Sequence, residues 1–377
     1  MAQPNNRFLA LDVFRGMTVC FMIIVNTPGS ELYTFAPLKH AAWHGFTPTD
    51  LVFPSFLFAV GNAMSFAMKK YTGAGRATAL KKILKRSVLI FLLGYLMYWF
   101  PFVHQLPDGS WAGNPIGNTR IMGVLQRIAL AYLFASLLIL YCKRKTVMIV
   151  SAVLLLGYWV VLLLFPVTGA DPLSMTGNAG MRLDEWILGD AHLYHGEGIP
   201  FDPEGLLSTL PAIVNVVLGY FTGLFIQQKG KTYEGLTKLL LCGCLLIFTA
   251  LVWNMVFPIN KKLWTSSFVL NTVGIDLVLI AALIYLIEFL NVRRGTGFFT
   301  VFGKNPLFIY LLSELLAIVL FTIHMEPKLH LYGWLNKYIF QAAIPGPVGS
   351  LLFAVLYMLL CWCVGKILDM KKIYVRV

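Results

Sequence analysis

The sequence predicts an all-α polytopic membrane protein. Of its 377 residues, 58% are hydrophobic and only 12% are charged, whereas a soluble domain carries about 25% charged residues. Several apolar runs exceed the roughly 18 residues that a helix needs to cross a bilayer. These runs are continuous rather than alternating, which favours helices over barrel strands, because each backbone polar group must be hydrogen-bonded internally in lipid.

Ten hydrophobic segments are long enough to be predicted as membrane-spanning helices. They cover residues 8–27, 50–69, 83–103, 120–141, 145–166, 206–228, 236–257, 264–291, 299–321 and 350–368. Lys and Arg concentrate in alternate loops such as KKYTGAGRATALKKILKR, whereas the loop PFVHQLPDGSWAGNPIGNT contains neither. Because basic loops stay in the cytoplasm, we expect both termini to be cytoplasmic.

We expect residues 1–377 to form one transmembrane domain, with the lipid bilayer as its surroundings. The acidic segment 167–205 is predicted to be a folded extracytoplasmic cap, since its aromatic and Leu content argues against disorder. The net charge of +13 follows membrane orientation, so no nucleic acid is expected. The six cysteines lie in or beside apolar runs and form no metal or disulfide framework. Homodimerisation is left open.

The first apolar run carries polar residues, which are costly inside a membrane and mark a functional site by default. Asp12 and Arg15 are spaced i,i+3 and share a helix face. They form either a self-neutralising pair or a binder for an anionic cytoplasmic ligand. Asn26, just before Thr27, Pro28 and Gly29, either caps the helix end or orients a reacting group.

The loop KHAAWHGFTPTD carries a second polar cluster of Lys39, His40, Trp43, His44 and Asp50. The two histidines are spaced i,i+4 as in a metal pair, but the Glu of an HExxH motif is absent. An imidazole titrates near pH 6.5 and therefore suits general-base or nucleophilic work. Asp50 either orients an imidazole, as in a triad, or caps the following helix.

Further polar residues lie in or beside later spans. Gln126 and Arg127 lie within the apolar run of the fourth span, where Arg127 requires a carboxylate or an anionic ligand. Lys304 and Asn305 begin a helix on the predicted cytoplasmic side. Glu204 closes the acidic cap segment.

These segments resemble the heparan-α-glucosaminide N-acetyltransferase family of membrane acyltransferases, including its bacterial members. The shared strings run in order through roughly residues 8–310. They are LDVFRG, VN, KHAAWHGFTPTDLVFP, GVLQRIA, LGDAHLY, FDPEGLLST and NKKLW. The resemblance implies that His40 is the active-site histidine and Asn26 its partner. It also implies that Asp12, Arg15 and the GVLQR segment line an acetyl-CoA channel. The absence of a lumenal domain before the first span, and His44 in place of another polar residue, lead us to expect a bacterial host and an acceptor other than heparan sulfate.

A mechanism follows from this interpretation. Acetyl-CoA would dock from the cytoplasm, with Arg15, Arg127, Lys304 and Asn305 near its phosphates. His40 would act as base or acetyl carrier, helped by Asn26 and Asp50. An amino sugar or glycan end would enter from outside, beside Lys39, Trp43, His44 and Glu204. Two alternatives stay open, namely a sugar or amino-sugar transporter and an O-acyltransferase acting on envelope polysaccharide.

Overall fold

A computed structural model describes residues 8–73, 75–106, 109–326 and 329–375. The chain is 71% helical, which confirms the predicted all-α class. Fourteen α-helices occur in the described ranges. They are α1 (Leu9–Asn26), α2 (Pro48–Gly73), α3 (Arg76–Trp99), α4 (Val124–Tyr141), α5 (Arg144–Leu164), α6 (Ala179–Leu188), α7 (Thr209–Lys229), α8 (Tyr233–Asn254), α9 (Ser266–Ile284), α10 (Thr296–Lys304), α11 (Pro306–Thr322), α12 (Leu331–Leu335), α13 (Gln341–Ala343) and α14 (Pro347–Met370).

Short elements complete the chain. Two antiparallel hairpins pair β1 (Val103–Gln105) with β2 (Trp111–Gly113) and β3 (His324–Glu326) with β4 (Leu329–His330). Three 3₁₀ turns cover Ala36–Leu38, Ile116–Asn118 and Asp190–His192, and π-helical turns cover Tyr285–Phe289 and Asn336–Phe340.

The number of membrane-spanning helices is close to the predicted ten. Within the described ranges, eight helices are long and apolar enough to cross a membrane, and α10 with α11 makes a ninth if this bent pair is one span. Helix α3 lies where the third span is predicted but begins RATALKKILKR, and the Lys and Arg residues of this stretch exclude it from the group of apolar helices. The predicted ten is therefore reached only when α3 is also counted.

Glycines allow the central helices to approach closely. A Cβ on Gly16 of α1 would lie 1.8 Å from the Phe299 carbonyl oxygen of α10, and one on Gly61 of α2 would lie 2.0 Å from the Val216 oxygen of α7. Membrane helices associate through such small residues, because lipid provides no hydrophobic drive between them. Helix α1 is thereby held against α10, and α2 against α7.

The two ends of α1 mark the two opposite ends of the bundle. The site end is where α1 ends and α2 begins, and the tail end is where α1 begins. At the tail end, the Leu9 amide donates to Glu288, and the Val375 amide donates to Asn305 at the 83° bend between α10 and α11. Both ends of the described chain thus lie at the tail end. Its assignment to the cytoplasm stays a prediction from the charge pattern.

The segment between α5 and α7 is folded over the site end. It contains α6, whose N-cap Asn178 accepts a hydrogen bond from the Met181 amide. On α6, the buried Asp184 side chain accepts the Leu206 amide at 2.9 Å. The Glu197 carboxylate pairs with Lys262 at 2.5 Å. These contacts attach the cap to the start of α7 and to the turn that precedes α9.

Candidate active site

His40 and Asp50 form a hydrogen-bonded pair at the site end. The Nδ1 atom of His40 lies 2.7 Å from Oδ1 of Asp50. The Asp50 side chain is 1% exposed, whereas 41% of the His40 side chain is exposed. A buried carboxylate that accepts from Nδ1–H fixes the imidazole tautomer and leaves Nε2 as the free base.

Asp50 also caps the helix that carries it. Its Oδ2 atom accepts the Thr47 amide at 3.0 Å, the Thr47 hydroxyl at 3.0 Å and the Ala41 amide at 3.1 Å. An acidic side chain that reaches back to the residue before the first helical turn is half of a capping box. One carboxylate therefore fixes the start of α2 and the orientation of His40, and both alternatives drawn from the sequence occur together.

Lys261 lies against the same imidazole. Its ammonium nitrogen is 3.1 Å from Nδ1 and 3.1 Å from Nε2 of His40. The turn that carries Lys261 is held by the Asn260 side chain, which accepts the Leu263 amide at 2.8 Å, and by Trp264, a fully buried residue with φ of 54°. Backbone strain of this kind persists only where packing imposes it, and it concentrates at functional sites.

Burial and charge set the protonation of this group. Burial lowers the pKa of His40 below its ordinary 6.5, and the Lys261 charge acts in the same direction against the opposing effect of Asp50. Burial likewise lowers the pKa of the Lys261 ammonium. His40 is therefore a neutral base at pH 7, which is the state required to accept a proton or an acyl group.

A cavity of about 160 Å³ opens beside His40. Its lining comes from α1, α2, α4, the cap and the turn before α9: Met22, Val25, Asn26, His40, Thr49, Val52, Phe53, Val124, Glu204 and Lys261. The Asn26 amide nitrogen donates to Glu314 of α11 at 3.2 Å. The structure therefore brings Asn26, His40 and Glu204 of the predicted set to one cavity, with Asp50 directly behind His40.

Paired charges surround the cavity on the cap side. Arg120 donates to Asp202 at 2.7 and 2.9 Å and to Glu204 at 2.7 Å. Burial acts to raise the pKa of Glu204, but the charges of Arg120, Arg127 and Lys261 outweigh it and lower that pKa. Glu204 is consequently a carboxylate facing the cavity.

Gln126 and Arg127 are both fully buried near the site end. Arg127 donates to the Ser208 hydroxyl and, at 3.2 Å, to the Gly205 carbonyl oxygen, and its guanidinium lies 4.7 Å from the Trp264 ring centroid. The Gln126 side-chain nitrogen and oxygen have no hydrogen-bond partner among the described residues. Arg127 thus lies behind the cavity wall rather than with the cations of the tail end.

The remaining predicted loop residues lie outside the cavity lining. The Trp43 indole donates to the Leu173 carbonyl oxygen at 2.9 Å, and His44 lies 3.3 Å from the Asn260 amide nitrogen. Burial lowers the pKa of His44. Lys39 is exposed, and its carbonyl oxygen accepts the Thr47 hydroxyl. These three side chains lie at the rim of the site and not in the cavity lining.

Four of the residues predicted to bind the nucleotide, namely Asp12, Arg15, Lys304 and Asn305, lie together at the tail end, whereas Gln126 and Arg127 do not. Arg15 donates to Asp12 and to the Gly303 carbonyl oxygen, both at 2.9 Å. Lys304 pairs with Asp369 at 2.7 Å, and the Asn305 side chain donates to the Ile373 carbonyl oxygen. The rise of about 1.5 Å per residue places Asn26 roughly 17 Å along α1 from Arg15.

Lys261 is the charged residue of the cavity lining that sequence reasoning did not assign to the site. A signal was present, because NKKLW puts two lysines on the predicted outer side, against the positive-inside trend. Within the described ranges, no three His, Cys, Asp or Glu side chains are placed to hold a metal ion. The expectation that no metal is used stays a prediction.

Comparison with known proteins finds sequence similarity to one enzyme family. Residues 7–184 match the family model of the heparan-alpha-glucosaminide N-acetyltransferase catalytic region. The mouse heparan-alpha-glucosaminide N-acetyltransferase is 27% identical over 366 residues, which cover 82% of this chain and 54% of the mouse protein. The human protein of the same name is 27% identical over 363 residues, covering 82% and 53%. The chain therefore spans about half the length of these relatives. The resemblance predicted from the motifs is confirmed, and the segment carrying Asn26, His40 and Asp50 is similar to the catalytic region of the heparan-alpha-glucosaminide N-acetyltransferase family.

Proposed function

We propose that this chain is a membrane-embedded acetyltransferase that passes an acetyl group from cytoplasmic acetyl-CoA to an amino sugar of glucosamine type outside the membrane. The observation that carries the proposal is His40, oriented by buried Asp50 and facing a cavity shared with Asn26, Glu204 and Lys261. Similarity to N-acetyltransferases over the segment that carries this histidine supports the reaction class.

His40 has the two properties that a base for amine acylation needs. Its Nδ1–H points to Asp50, so the lone pair lies on Nε2, where the Lys261 ammonium is 3.1 Å away and has to give way to the reactants. Its lowered pKa keeps the ring neutral at pH 7. In a direct transfer, Nε2 takes the proton as the amine nitrogen attacks the thioester carbonyl, and the C–S bond breaks to release CoA as the thiolate, which takes that proton back from Nε2. In a two-step transfer, Nε2 attacks the carbonyl first and the CoA thiolate leaves; the amine then attacks acetyl-His40, and the N–C bond to the imidazole breaks to return neutral His40. Both routes use the same geometry.

Asn26 and Lys261 are placed to stabilise the oxyanion that either route forms. One N–H of the Asn26 amide is used by Glu314, and the amide carries a second. The Lys261 ammonium adds a positive charge at the cavity wall. Donors fixed in a site that excludes water contribute strongly, because they need no reorganisation during the reaction.

The tail end is the expected entry for acetyl-CoA. Arg15 and Lys304 are held there by carboxylates of Asp12 and Asp369, which phosphate groups would replace as partners. The distance of roughly 17 Å along α1 to Asn26 is of the order that an extended pantetheine arm covers. Gln126 and Arg127 would line the inner part of this route, beside the cavity rather than at the phosphates.

The acceptor would enter under the cap at the site end. Glu204 presents a carboxylate to the cavity, which suits the ammonium or hydroxyl groups of an amino sugar. Trp43, His44 and Lys39 form the rim that the sugar would contact. With the tail end in the cytoplasm, acetyl-CoA and acceptor meet from opposite membrane faces, in a bacterial inner membrane.

The test is CoA release by purified protein in liposomes. Acetyl-CoA with glucosamine should release free thiol, His40→Ala should abolish release, and glucose or N-acetylglucosamine should give none. Thiol release with glucose alone would replace the N-acetyltransferase by an O-acyltransferase. Glucosamine uptake without acetyl-CoA, unchanged in His40→Ala, would refute the proposal in favour of a transporter. Label from acetyl-CoA that stays on His40 without acceptor selects the two-step route. The mass of the detergent complex tests homodimerisation.

A further inference from the structure

The cap helix and the end of α5 enclose a second cavity, outside the site already described. It has a volume of about 460 Å³ and is lined by Val161, Phe165, Ala179, Arg182, Leu183, Trp186 and Leu207. This volume lies within the range of roughly 300–1,000 Å³ that small-molecule sites occupy. We call it the α5–α6 groove.

Four of these residues form one stripe along α6. Ala179, Arg182, Leu183 and Trp186 follow the i, i+3, i+4, i+7 spacing that places side chains on a single helix face. Asp184 lies off this stripe, buried against the Leu206 amide. Helix α6 is thus attached to the protein by one face and presents the other to the groove.

The groove opens onto the lipid-facing flank of the bundle. Only 28% of the apolar, membrane-spanning stretch of α5 is buried inside the protein. Its last residue Leu164 is 68% exposed, and Phe165, which follows it, is 59% exposed. Trp186 is 83% exposed beside them. Tryptophan is enriched at the level of the lipid head groups. A ligand would therefore enter this groove from the lipid bilayer.

Arg182 gives the groove a charge. It is the one Lys or Arg in the segment 167–205, and within the described ranges no carboxylate forms an ion pair with it. Guanidinium groups bind phosphate through two parallel hydrogen bonds. An apolar slot with a single cation at its edge is complementary to an acyl chain with an anionic phosphate head.

We propose that the α5–α6 groove is a binding site for an anionic phospholipid from the bilayer leaflet at the site end. The acyl chain lies along Val161 and Leu183, and the phosphate meets Arg182. The cap would then be held to the bilayer by a specific lipid as well as by its protein contacts. This inference is independent of acetyl transfer, because none of its residues touches His40.

Trp186 provides a direct readout. The protein is reconstituted in phosphatidylcholine nanodiscs containing increasing fractions of lipid brominated near the head group, which quenches nearby indoles. Subtracting the signal of Trp186→Phe isolates this indole from the other eight of the nine tryptophans in the chain. Half-maximal quenching should occur at a roughly fivefold lower fraction of brominated phosphatidylglycerol than of brominated phosphatidylcholine, because one cation near the surface contributes about that factor.

Two variants decide the outcome. In Arg182→Gln, the two brominated lipids should reach half-maximal quenching at the same fraction. The control Lys337→Gln removes an exposed cation that is also at the site end but distant in sequence, and it should leave the preference for phosphatidylglycerol intact. Equal quenching by both lipids in the unmodified protein would overturn the proposal, since Trp186 would then report general contact with the bilayer. The same holds if Lys337→Gln removes the preference as fully as Arg182→Gln.

Discussion

Replacing Asp50 by Asn should inactivate the protein through the tautomer of His40 rather than through the fold. Three donors meet Oδ2 of Asp50, namely the amides of Ala41 and Thr47 and the Thr47 hydroxyl. An asparagine must direct its oxygen to these fixed donors, because its NH₂ group cannot accept from them. The NH₂ group then faces Nδ1 of His40, which must accept instead of donate.

The magnitude follows from that reversal. With Nδ1 accepting, the imidazole proton moves to Nε2, so the atom that faces the reactants is no longer a base. An Asp→Asn change that forces the wrong tautomer lowers kcat about 10⁴-fold in a serine-protease triad. The loss of a charged acceptor for three donors should cost only about 1–2 kcal/mol in stability. Activity should therefore fall far more than folding.

The assay is CoA release with glucosamine, alongside the unfolding temperature. Asp50→Asn should release thiol at least 10²-fold more slowly, with a melting temperature within several degrees of the unmodified protein. Thr47→Ser keeps the hydroxyl that Asp50 accepts and serves as the matched control, with near-normal activity. If Asp50→Asn keeps more than a tenth of the activity, the tautomer argument is wrong.

Four further outcomes are expected. Activity should be constant above pH 7 and fall below pH 6.5, because burial lowers the pKa of the active-site imidazole below that value, and the pH profile of kcat checks this. Lys261→Met should move this acidic limb to higher pH, by removing a charge that lowers the imidazole pKa, and reduce kcat about 10²-fold, whereas Lys262→Met should leave the limb in place. Gly16→Ala should destabilise the protein by about 1–3 kcal/mol through overpacking, whereas Gly157→Ala, with open space around it, should not lower the melting temperature. Burial raises the pKa of Asp184 from 3.8 to about 7, so the protonated carboxyl stabilises the folded cap at low pH, and this stabilisation is lost as pH rises through 7. Asp184→Asn should therefore flatten the pH dependence of amide exchange in the cap between pH 5 and 8.

The fold could be predicted from composition because lipid leaves a chain few alternatives. A continuous apolar run must form a helix in hydrocarbon, and eight of the ten predicted spans coincide with observed helices to within a few residues. The exceptions are 83–103, where α3 already begins at Arg76, and 299–321, which is divided between α10 and α11. The 83° bend at Asn305 falls inside the span predicted as one run from 299 to 321, although Pro306, which disfavours a helical conformation in the residue before it, marks a break there. At the bend, the Asn305 side chain donates to the Ile373 carbonyl oxygen and accepts the Val375 amide, and contacts between residues so distant in sequence leave no local pattern.

The site was predictable where its partners are close in sequence. His40 and Asp50 are ten positions apart, within one loop and the next helix turn, so their pairing could be proposed from spacing alone. Lys261 is 221 positions from His40, and only the packing of α9 against α2 brings it there. Arg127 was grouped with the phosphate-binding cations because its charge is visible in the sequence. Its position beside Ser208, at the other end of the bundle, depends on the fold.

The charges around the cavity bear on how an amine could react there. Three cations and three carboxylates surround it, namely Lys261, Arg120, Arg127, Asp50, Asp202 and Glu204. An acceptor that arrives as an ammonium adds a fourth positive charge next to Lys261, in a site where burial already penalises charge. Both effects lower the pKa of the incoming amine and favour its neutral, nucleophilic form. Glu204 attracts the ammonium form of the acceptor to the cavity. The positive charge of Lys261 then favours loss of the ammonium proton. His40 consequently has to remove a proton only as the new N–C bond forms, when the nitrogen has become strongly acidic.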